Sequence, residues 1–160
     1  MEEGKLTLNL QELDVGEVMH PVAQEFKHAA TAEDKRIEVD IEDGVPRVSI
    51  DRDLIYRTLS NLMINAIKHT PRNGVITVAA VSVDGGLELE VRDTGQGIPD
   101  EFRETIFEKF GQVESRQRSG TGLGLTFCKM AVEAHGGTIR VVSEEGEGSR
   151  FISFLTVQAT

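Results

Sequence analysis

Two apolar runs joined by a glycine turn decide the class of fold. VITVAAVSV (residues 75–83) and LELEV (residues 87–91) carry the β-branched and alternating apolar residues typical of strands. Asp84-Gly85-Gly86 lies between them and is a typical hairpin connection. Since a hairpin joins antiparallel strands, this stretch predicts the middle of a largely antiparallel sheet.

Helices and further strands are predicted on both sides of this hairpin. The first helix carries Val18, Val22, Phe26 and Ala29 at helical spacing, and the second begins at a capping Asp51. Because the strands are mostly hairpin-connected and three helices intervene, we predict an α+β fold with helices on one face of a mixed sheet. The predicted helices are 16–33, 51–69 (ended by Pro71) and 123–135 (ended by Gly136-Gly137), and the other predicted strands are 5–10, 36–41, 47–50 and a second hairpin of 138–144 and 150–157.

Composition and charge exclude several classes of protein. The 160 residues suit one domain, without repeats or an internal boundary. No apolar run approaches the ~20 residues of a membrane span. No apolar leader opens the chain, so we expect neither membrane contact by this domain nor secretion. The formal net charge of -10 argues against a nucleic-acid partner, whose phosphates would repel the chain. The single cysteine, Cys128, is expected to be a packed thiol in a reducing compartment.

The helix predicted at 51–69 carries an unusual polar stripe. Asn61, Asn65, Lys68 and His69 share one side of the helix, opposite its apolar residues. A solvated face is one interpretation, although such faces favour Glu, Lys and Gln for their helix propensity. The alternative is a ligand site, since amides offer oxygen to a hard metal ion and nitrogen to phosphate.

Two glycine-rich motifs add candidate ligand contacts. DTGQGIP (residues 93–99) places Asp93 at the end of a strand, where it could accept a hydrogen bond from an exocyclic amine. A simple turn is the alternative there. GTGLGL (residues 120–125) opens a helix and could bind an anion through its backbone N–H groups. It fits neither the Walker nor the Rossmann spacing, and a helix cap is the alternative.

A long connection separates these two motifs. Residues 93–122 exceed the usual length of a loop within a small domain, and such loops are often functional. FEKF (residues 107–110) could anchor this loop in the core. Lys109, Arg116 and Arg118 cluster on it within an acidic protein, which suits a lid over phosphates.

In this order and spacing, the motifs resemble those of the ATP-binding catalytic domain of bacterial sensor histidine kinases. That family belongs to the superfamily shared with gyrase, heat-shock chaperones and mismatch-repair ATPases. NLMINAIKHT resembles the N box, DTGQGIP the G1 box, FEKF the F box and GTGLGL the G2 box, and GEGSRF near the end matches too. The resemblance covers essentially the whole chain. It implies the Bergerat fold, a two-layer sandwich of about five strands on three helices, with an ATP lid at 99–119.

The resemblance also implies a role for individual residues. Asn65 would bind Mg²⁺, Lys68 and His69 would line the phosphates and sugar, and Asp93 would take the adenine amino group of ATP. Catalysis would involve Asn61, Asn65 and Lys68. The other positions that the resemblance places at the nucleotide are Gly95, Gly97, Ile98, Lys109, Phe110, Arg116, Arg118, Gly120, Thr121, Gly122, Leu123, Gly124, Leu125 and Ser149.

Asn61 indicates which reaction to expect. Hydrolysing relatives carry a Glu there as general base, and an amide cannot take a proton near neutral pH. This favours transfer of the γ-phosphoryl group to a histidine on a separate dimerisation domain of the same parent protein, which would pass it to a response regulator receiver domain. None of the four histidines has the context of that acceptor, His20 coming closest. We therefore expect a cytoplasmic catalytic domain without its acceptor domain.

Departures from the family pattern leave alternatives open. Gln112 stands where many members carry an Arg, Gly111 replaces a bulky residue, and Thr156 replaces a proline. One alternative is a related serine kinase of the anti-sigma class, although those proteins typically keep Glu at the position of Asn61. Another is a nucleotide-binding docking module whose catalysis has decayed, which only Gln112 favours. The last is a hydrolase of the same superfamily.

Overall fold

The computed structural model describes residues 7–97, 106–107, 122–144 and 146–156. Within these ranges helices and strands alternate in an order close to the predicted one. The elements are β1 (Leu10–Leu13), α1 (Gly16–Ala32), β2 (Arg36–Ile41), β3 (Val48–Asp51), α2 (Arg52–His69), β4 (Val75–Val83), β5 (Gly86–Asp93), α3 (Gly122–Ala134), β6 (Thr138–Glu144) and β7 (Gly148–Thr156).

Five of the strands form one mixed sheet in the order β2-β4-β5-β7-β6. β2 runs parallel to β4, and every other neighbouring pair is antiparallel. The predicted hairpin of β4 and β5 is present, with Val83 opposite Gly86. A side chain at Gly86 would collide with the carbonyl oxygen of Leu155 on β7, so the central strands approach closely only because this residue is glycine.

The helices cover one face of this sheet. Along β5, Leu87, Leu89 and Val91 are buried on the inner face, while Glu88 and Glu90 alternate with them on the outer face. Ile55, Leu59, Leu62, Met63 and Ala66 form the buried side of α2. Burial of each large apolar side chain contributes about 1.5–3 kcal/mol. These features confirm the predicted α+β fold, with three helices among the described residues.

Both ends of α2 are held by polar contacts. At its start the Asp51 carboxylate accepts a hydrogen bond from the backbone N–H of Leu54 at 3.1 Å, as predicted for a capping residue. At its end the ammonium group of buried Lys35 donates to the carbonyl oxygen of Ile67 at 2.6 Å. A cation at this end also suits the helix dipole. These contacts fix the helix that carries Asn61 to His69.

Several details of the prediction are wrong, among them the last strand, which is Gly148–Thr156 rather than 150–157. The first strand is Leu10–Leu13 rather than 5–10: residues 7–9 are not in a strand, and 1–6 lie outside the described residues. Its bounds follow from its partner β3, which offers only four residues to pair with. β3 itself lies one residue later than 47–50. On α1, Ala29 is exposed and Ala30 is buried instead.

Candidate functional site

The polar stripe of α2 faces the beginning of α3. The Asn61 side chain is half-buried, and its amide nitrogen lies 3.4 Å from the carbonyl oxygen of Gly124, to which it donates. Asn65 is also half-buried one turn later, and Lys68 and His69 are exposed. The N box and the G2 box are therefore neighbours in space although 63 residues separate Asn61 from Gly124.

The end of β5 places a carboxylate in a dry environment. Asp93 is 5% exposed, and its Oδ1 accepts a hydrogen bond from the backbone N–H of Gly95 at 2.8 Å. Burial raises the pKa of this carboxyl group, and the backbone N–H groups of Gly95 and Ser149 oppose that rise by donating to it. A buried acceptor of this kind is suited to a ligand that brings its own N–H donor.

The turn after Asp93 packs directly on the end of α2. A side chain at Gly95 would collide with the carbonyl oxygen of His69, so this approach requires glycine. Gly97 has a φ of 82°, in the left-handed region that favours glycine. The DTGQG turn can therefore pack against the end of the polar stripe because Gly95 has no side chain.

His69 has an altered proton affinity at this junction. Although its side chain is exposed at the surface, partial burial lowers the pKa of its imidazole. The charges of Lys68 and Lys35 act in the same direction, and Asp93 opposes them. The neutral imidazole is therefore favoured beside two cations.

Two serines continue the site across the sheet. Ser149 on β7 pairs with Asp93 on β5, and Ser143 on β6 pairs with Ser149, so the three side chains form a row on the inner face. The Ser143 hydroxyl lies 3.1 Å from both the Ser149 hydroxyl and the Gly148 carbonyl oxygen. Both serines are buried. Sequence reasoning missed Ser143, whose one signal was a hydroxyl on the same face of the strand as the apolar Ile139 and Val141.

The remaining predicted contacts are only partly described. Gly122 and Leu123 begin α3, and Leu125 is buried in the hydrophobic core, so its side chain packs there. Phe107 of the F box is also buried, with its ring 5.9 Å from that of Phe151 at an angle of 85°. This supports the interpretation of FEKF as a hydrophobic anchor. Most of the predicted lid lies outside the described residues. The same is true of seven predicted site residues: Ile98, Lys109, Phe110, Arg116, Arg118, Gly120 and Thr121.

Other features of the surface lie away from these residues. A groove of about 680 Å³ runs between α1 and the connection of β2 to β3, and none of the candidate residues lines it. Across the described ranges, no three His, Cys, Asp or Glu side chains converge in the way a metal cluster requires. No helix of the described residues has both the length and the apolar composition for crossing a membrane.

Comparison with known proteins assigns this arrangement to a family. The sequence model described as "Histidine kinase-, DNA gyrase B-, and HSP90-like ATPase" matches residues 50–159. The chain belongs to this ATPase family. The predicted resemblance is therefore confirmed, and the match includes α2, Asp93, α3 and Ser149.

Named relatives within this ATPase family are sensor kinases. The chain is 35% identical over 156 residues to the alginate biosynthesis sensor protein KinB of Pseudomonas aeruginosa, covering 98% of this chain and 26% of KinB. It therefore spans about a quarter of that relative's length.

Solved structures agree with this assignment. Full-length ShkA in complex with AMPPNP superposes with a TM-score of 0.85 at 30% identity, over 96% of this chain and 33% of ShkA. The catalytic domain of the histidine kinase ThkA superposes with a TM-score of 0.83 at 29% identity, over 93% of this chain and 96% of that domain. The fold is thus that of histidine kinase catalytic domains.

Proposed function

We propose that this chain binds Mg-ATP and donates the γ-phosphoryl group to a histidine on a separate helical dimerisation domain, as part of two-component signal transduction. The observation that carries the proposal is the buried Asp93, held next to the end of α2 by a turn that only glycine permits. An adenine-sized ligand at Asp93 would extend its phosphates toward Asn65 and the start of α3. This direction suits nucleotide binding between the G1, N and G2 boxes.

Asp93 is proposed to accept the adenine amino group. Its carboxylate already receives one N–H from Gly95 at 2.8 Å, and an ionised carboxylate has acceptor capacity left for a ligand. Because the surroundings are dry, a charge-assisted hydrogen bond there is stronger than in water. Gly97 and Ile98 are proposed to border the base.

The phosphates are proposed to lie beside the last turns of α2. Lys68 and His69 are exposed there, and the N-terminus of α3 contributes partial positive charge. The loop residues Gly120, Thr121, Gly122, Leu123 and Gly124, with Lys109, Phe110, Arg116 and Arg118 of the lid, are proposed to complete this part of the site.

Asn65 is proposed to be the protein's ligand for Mg²⁺. Its amide oxygen is a hard donor on a half-buried position of the helix face. Mg²⁺ commonly takes one or two protein oxygens and completes its shell with water and phosphate oxygens, so one amide fits its requirements. When bound, the ion would neutralise charge on the phosphates during transfer.

Asn61 favours transfer over hydrolysis. Its amide donates to the Gly124 carbonyl, and an amide has no proton affinity with which to activate water near neutral pH. The phosphoryl group must then go to an acceptor other than water that is itself a nucleophile. A histidine on another domain meets this requirement. The histidine kinase ThkA has been solved in complex with the response regulator TrrA, and we propose a receiver domain as the eventual recipient here as well.

The test has two parts. Calorimetry should show ATP binding to the chain that weakens when EDTA removes Mg²⁺, and label from γ-³²P-ATP should reach a histidine of the parent protein's dimerisation domain when that domain is added. Ser153→Ala, away from the proposed contacts, is the control variant. A chain that binds no ATP would overturn the proposal. ATP binding without phosphohistidine would favour the docking module, and phosphoserine on an anti-sigma antagonist would favour the serine kinase.

A further inference from the structure

We propose that Ser143, which has no place in the nucleotide contacts described above, makes the site selective for 6-aminopurines by fixing the direction of the Ser149 hydroxyl. Ser143 would thus be a positioning residue that acts through Ser149. The inference rests on the proposed function, because it concerns the base that is proposed to bind at Asp93, next to which Ser149 lies on the neighbouring strand.

The first step is the row of three polar side chains across three strands. Asp93, Ser149 and Ser143 lie at one level of β5, β7 and β6 on the inner face of the sheet. Their exposed fractions are 5%, 5% and 3%, so bulk water cannot rearrange their hydrogen bonds freely. Each proton in the row must therefore be assigned to a protein partner or to a ligand.

The second step is the order of the protons. The Gly148 carbonyl oxygen can only accept, so its 3.1 Å contact with Ser143 uses the single proton of the Ser143 hydroxyl. The Ser143 and Ser149 oxygens are also 3.1 Å apart. With the Ser143 proton engaged, the arrangement that satisfies both contacts has the Ser149 hydroxyl donating to the Ser143 oxygen.

The third step concerns which hydrogen-bonding groups of the row remain available to a ligand. With its proton directed at Ser143, Ser149 has only lone pairs to offer, and the ionised carboxylate of Asp93 is likewise acceptor-only. A 6-amino group carries two N–H donors and suits such a pair of acceptors. A 6-oxo group is itself an acceptor, and a site built for a donor rejects such an analogue strongly because its buried groups stay unpaired.

Backbone geometry holds the row in this arrangement. Gly148 has a φ of 111°, in a region that side chains rarely adopt, and a side chain there would collide with the Asp93 carbonyl oxygen. The strand end that carries Ser149 therefore packs tightly on the strand end that carries Asp93. Ser143 donates to the carbonyl of this same glycine, so it contacts both residues that border Asp93.

The experiment compares the affinities of ATP and inosine triphosphate, whose base differs in having a 6-oxo group. Ser143→Ala frees the Ser149 proton to turn toward the base, and we expect the preference for ATP to fall by about fivefold or more. Ser143→Thr keeps a hydroxyl and should retain the preference. Ser153→Ala, the same substitution on the same face of β7, should leave it unchanged.

A double-mutant cycle separates positioning from general loosening of the strand. Because Ser143 acts through Ser149, the preference of Ser143→Ala/Ser149→Ala should equal that of Ser149→Ala alone. An equal loss of affinity for both nucleotides in Ser143→Ala would overturn the inference. Should that variant not fold, an unchanged preference in Ser149→Ala would overturn it instead. If the unsubstituted chain bound neither nucleotide, the proposed function would fail first.

Discussion

Asp93 occupies a position that the fold does not favour for a charge. Burial raises the pKa of its carboxyl group despite two backbone N–H donors, which means that the folded chain holds the ionised form less well than the unfolded chain does. Proteins accept such a cost mainly where a ligand uses the group.

Replacement of Asp93 should therefore separate binding from stability. Asp93→Asn is expected to weaken ATP binding by ~1.5–3 kcal/mol, the range for a hydrogen bond to a charged group. The free energy of unfolding at pH 7 should not fall, because the substitution removes a desolvated charge. Calorimetry and chemical denaturation measure the two quantities. Unchanged affinity would contradict the role of Asp93.

Ser153 is a second buried polar residue with a different environment. Among the described residues it is the one buried side chain whose oxygen has no hydrogen-bond partner. It is 3% exposed and lies on the inner face of β7, opposite Leu89. Ser149 on the same strand is equally buried, but its hydroxyl contacts Ser143.

These two serines should respond to alanine in opposite directions. Ser153→Ala is expected to raise the free energy of unfolding by about 1 kcal/mol, since it removes an unpaired buried hydroxyl. Ser149→Ala should lower the free energy of unfolding by a similar amount because it breaks a made bond. Urea denaturation with an unchanged m-value is the measurement. If both substitutions lowered the free energy of unfolding, the effect would depend on the burial of the serine and not on whether its hydroxyl is hydrogen-bonded.

At the scale of elements, the start of α2 joins three parts of the chain. The Asp51 carboxylate accepts from Leu54 on α2 and from the backbone N–H of Asn9 before β1. The backbone N–H of Asp51 donates to the imidazole of His135, just after α3. A single residue thus ties together the helix that bears the polar stripe, the first strand and the end of the third helix.

Loss of the Asp51 side chain should cost more than an ordinary surface substitution. Asp51→Ala is expected to lower the free energy of unfolding by about 1–2 kcal/mol through the lost cap. Asp53→Ala, in the same first turn but exposed, is the matched control and should change it by less than about 0.5 kcal/mol. Equal effects in thermal or urea unfolding would argue that the cap is not stabilising.

At the scale of the whole molecule, the acidic balance makes the local cations notable. The chain carries a formal net charge of -10, yet two cations, buried Lys35 and exposed Lys68, act on His69 at the end of α2. An anionic ligand there would be attracted by the exposed Lys68 in spite of the acidic net charge. Lowering of the His69 pKa at that place also couples folding to pH.

The pH dependence has a definite sign. Because the pKa of His69 is lowered on folding, the unfolded chain binds this proton first as the pH falls below about 6.5, the ordinary value for histidine. The free energy of unfolding should therefore decrease as the pH is lowered through that value and down to the folded-state pKa. His69→Gln should flatten this part of the curve relative to the unsubstituted chain. A parallel curve for the variant would contradict the lowered pKa.

The sequence predictions succeeded where the deciding interactions join residues close together in the chain, and they failed where those interactions join distant residues. β2, β4, α2 and the α3 ending at the Gly136-Gly137 pair were predicted closely, since alternation, capping and glycine turns act within a few residues. β1 was displaced because its extent depends on four residues of β3 that lie about forty positions away. Ser143 was missed for the same reason. Its partners Gly148 and Ser149 are part of the candidate site only because they lie next to Asp93, which is far away along the chain.

The sequence by itself determined the class of fold and the family, and it proposed the residue types of the candidate site. Those follow from local periodicity and from motifs whose order along the chain is enough to recognise them. The tertiary structure decided which backbone atoms meet: Gly95 against His69, the Asn61 amide on the Gly124 carbonyl, and the row from Asp93 to Ser143. Burial, proton affinity and the direction of a hydroxyl are properties of such surroundings, and no single stretch of the chain contains them.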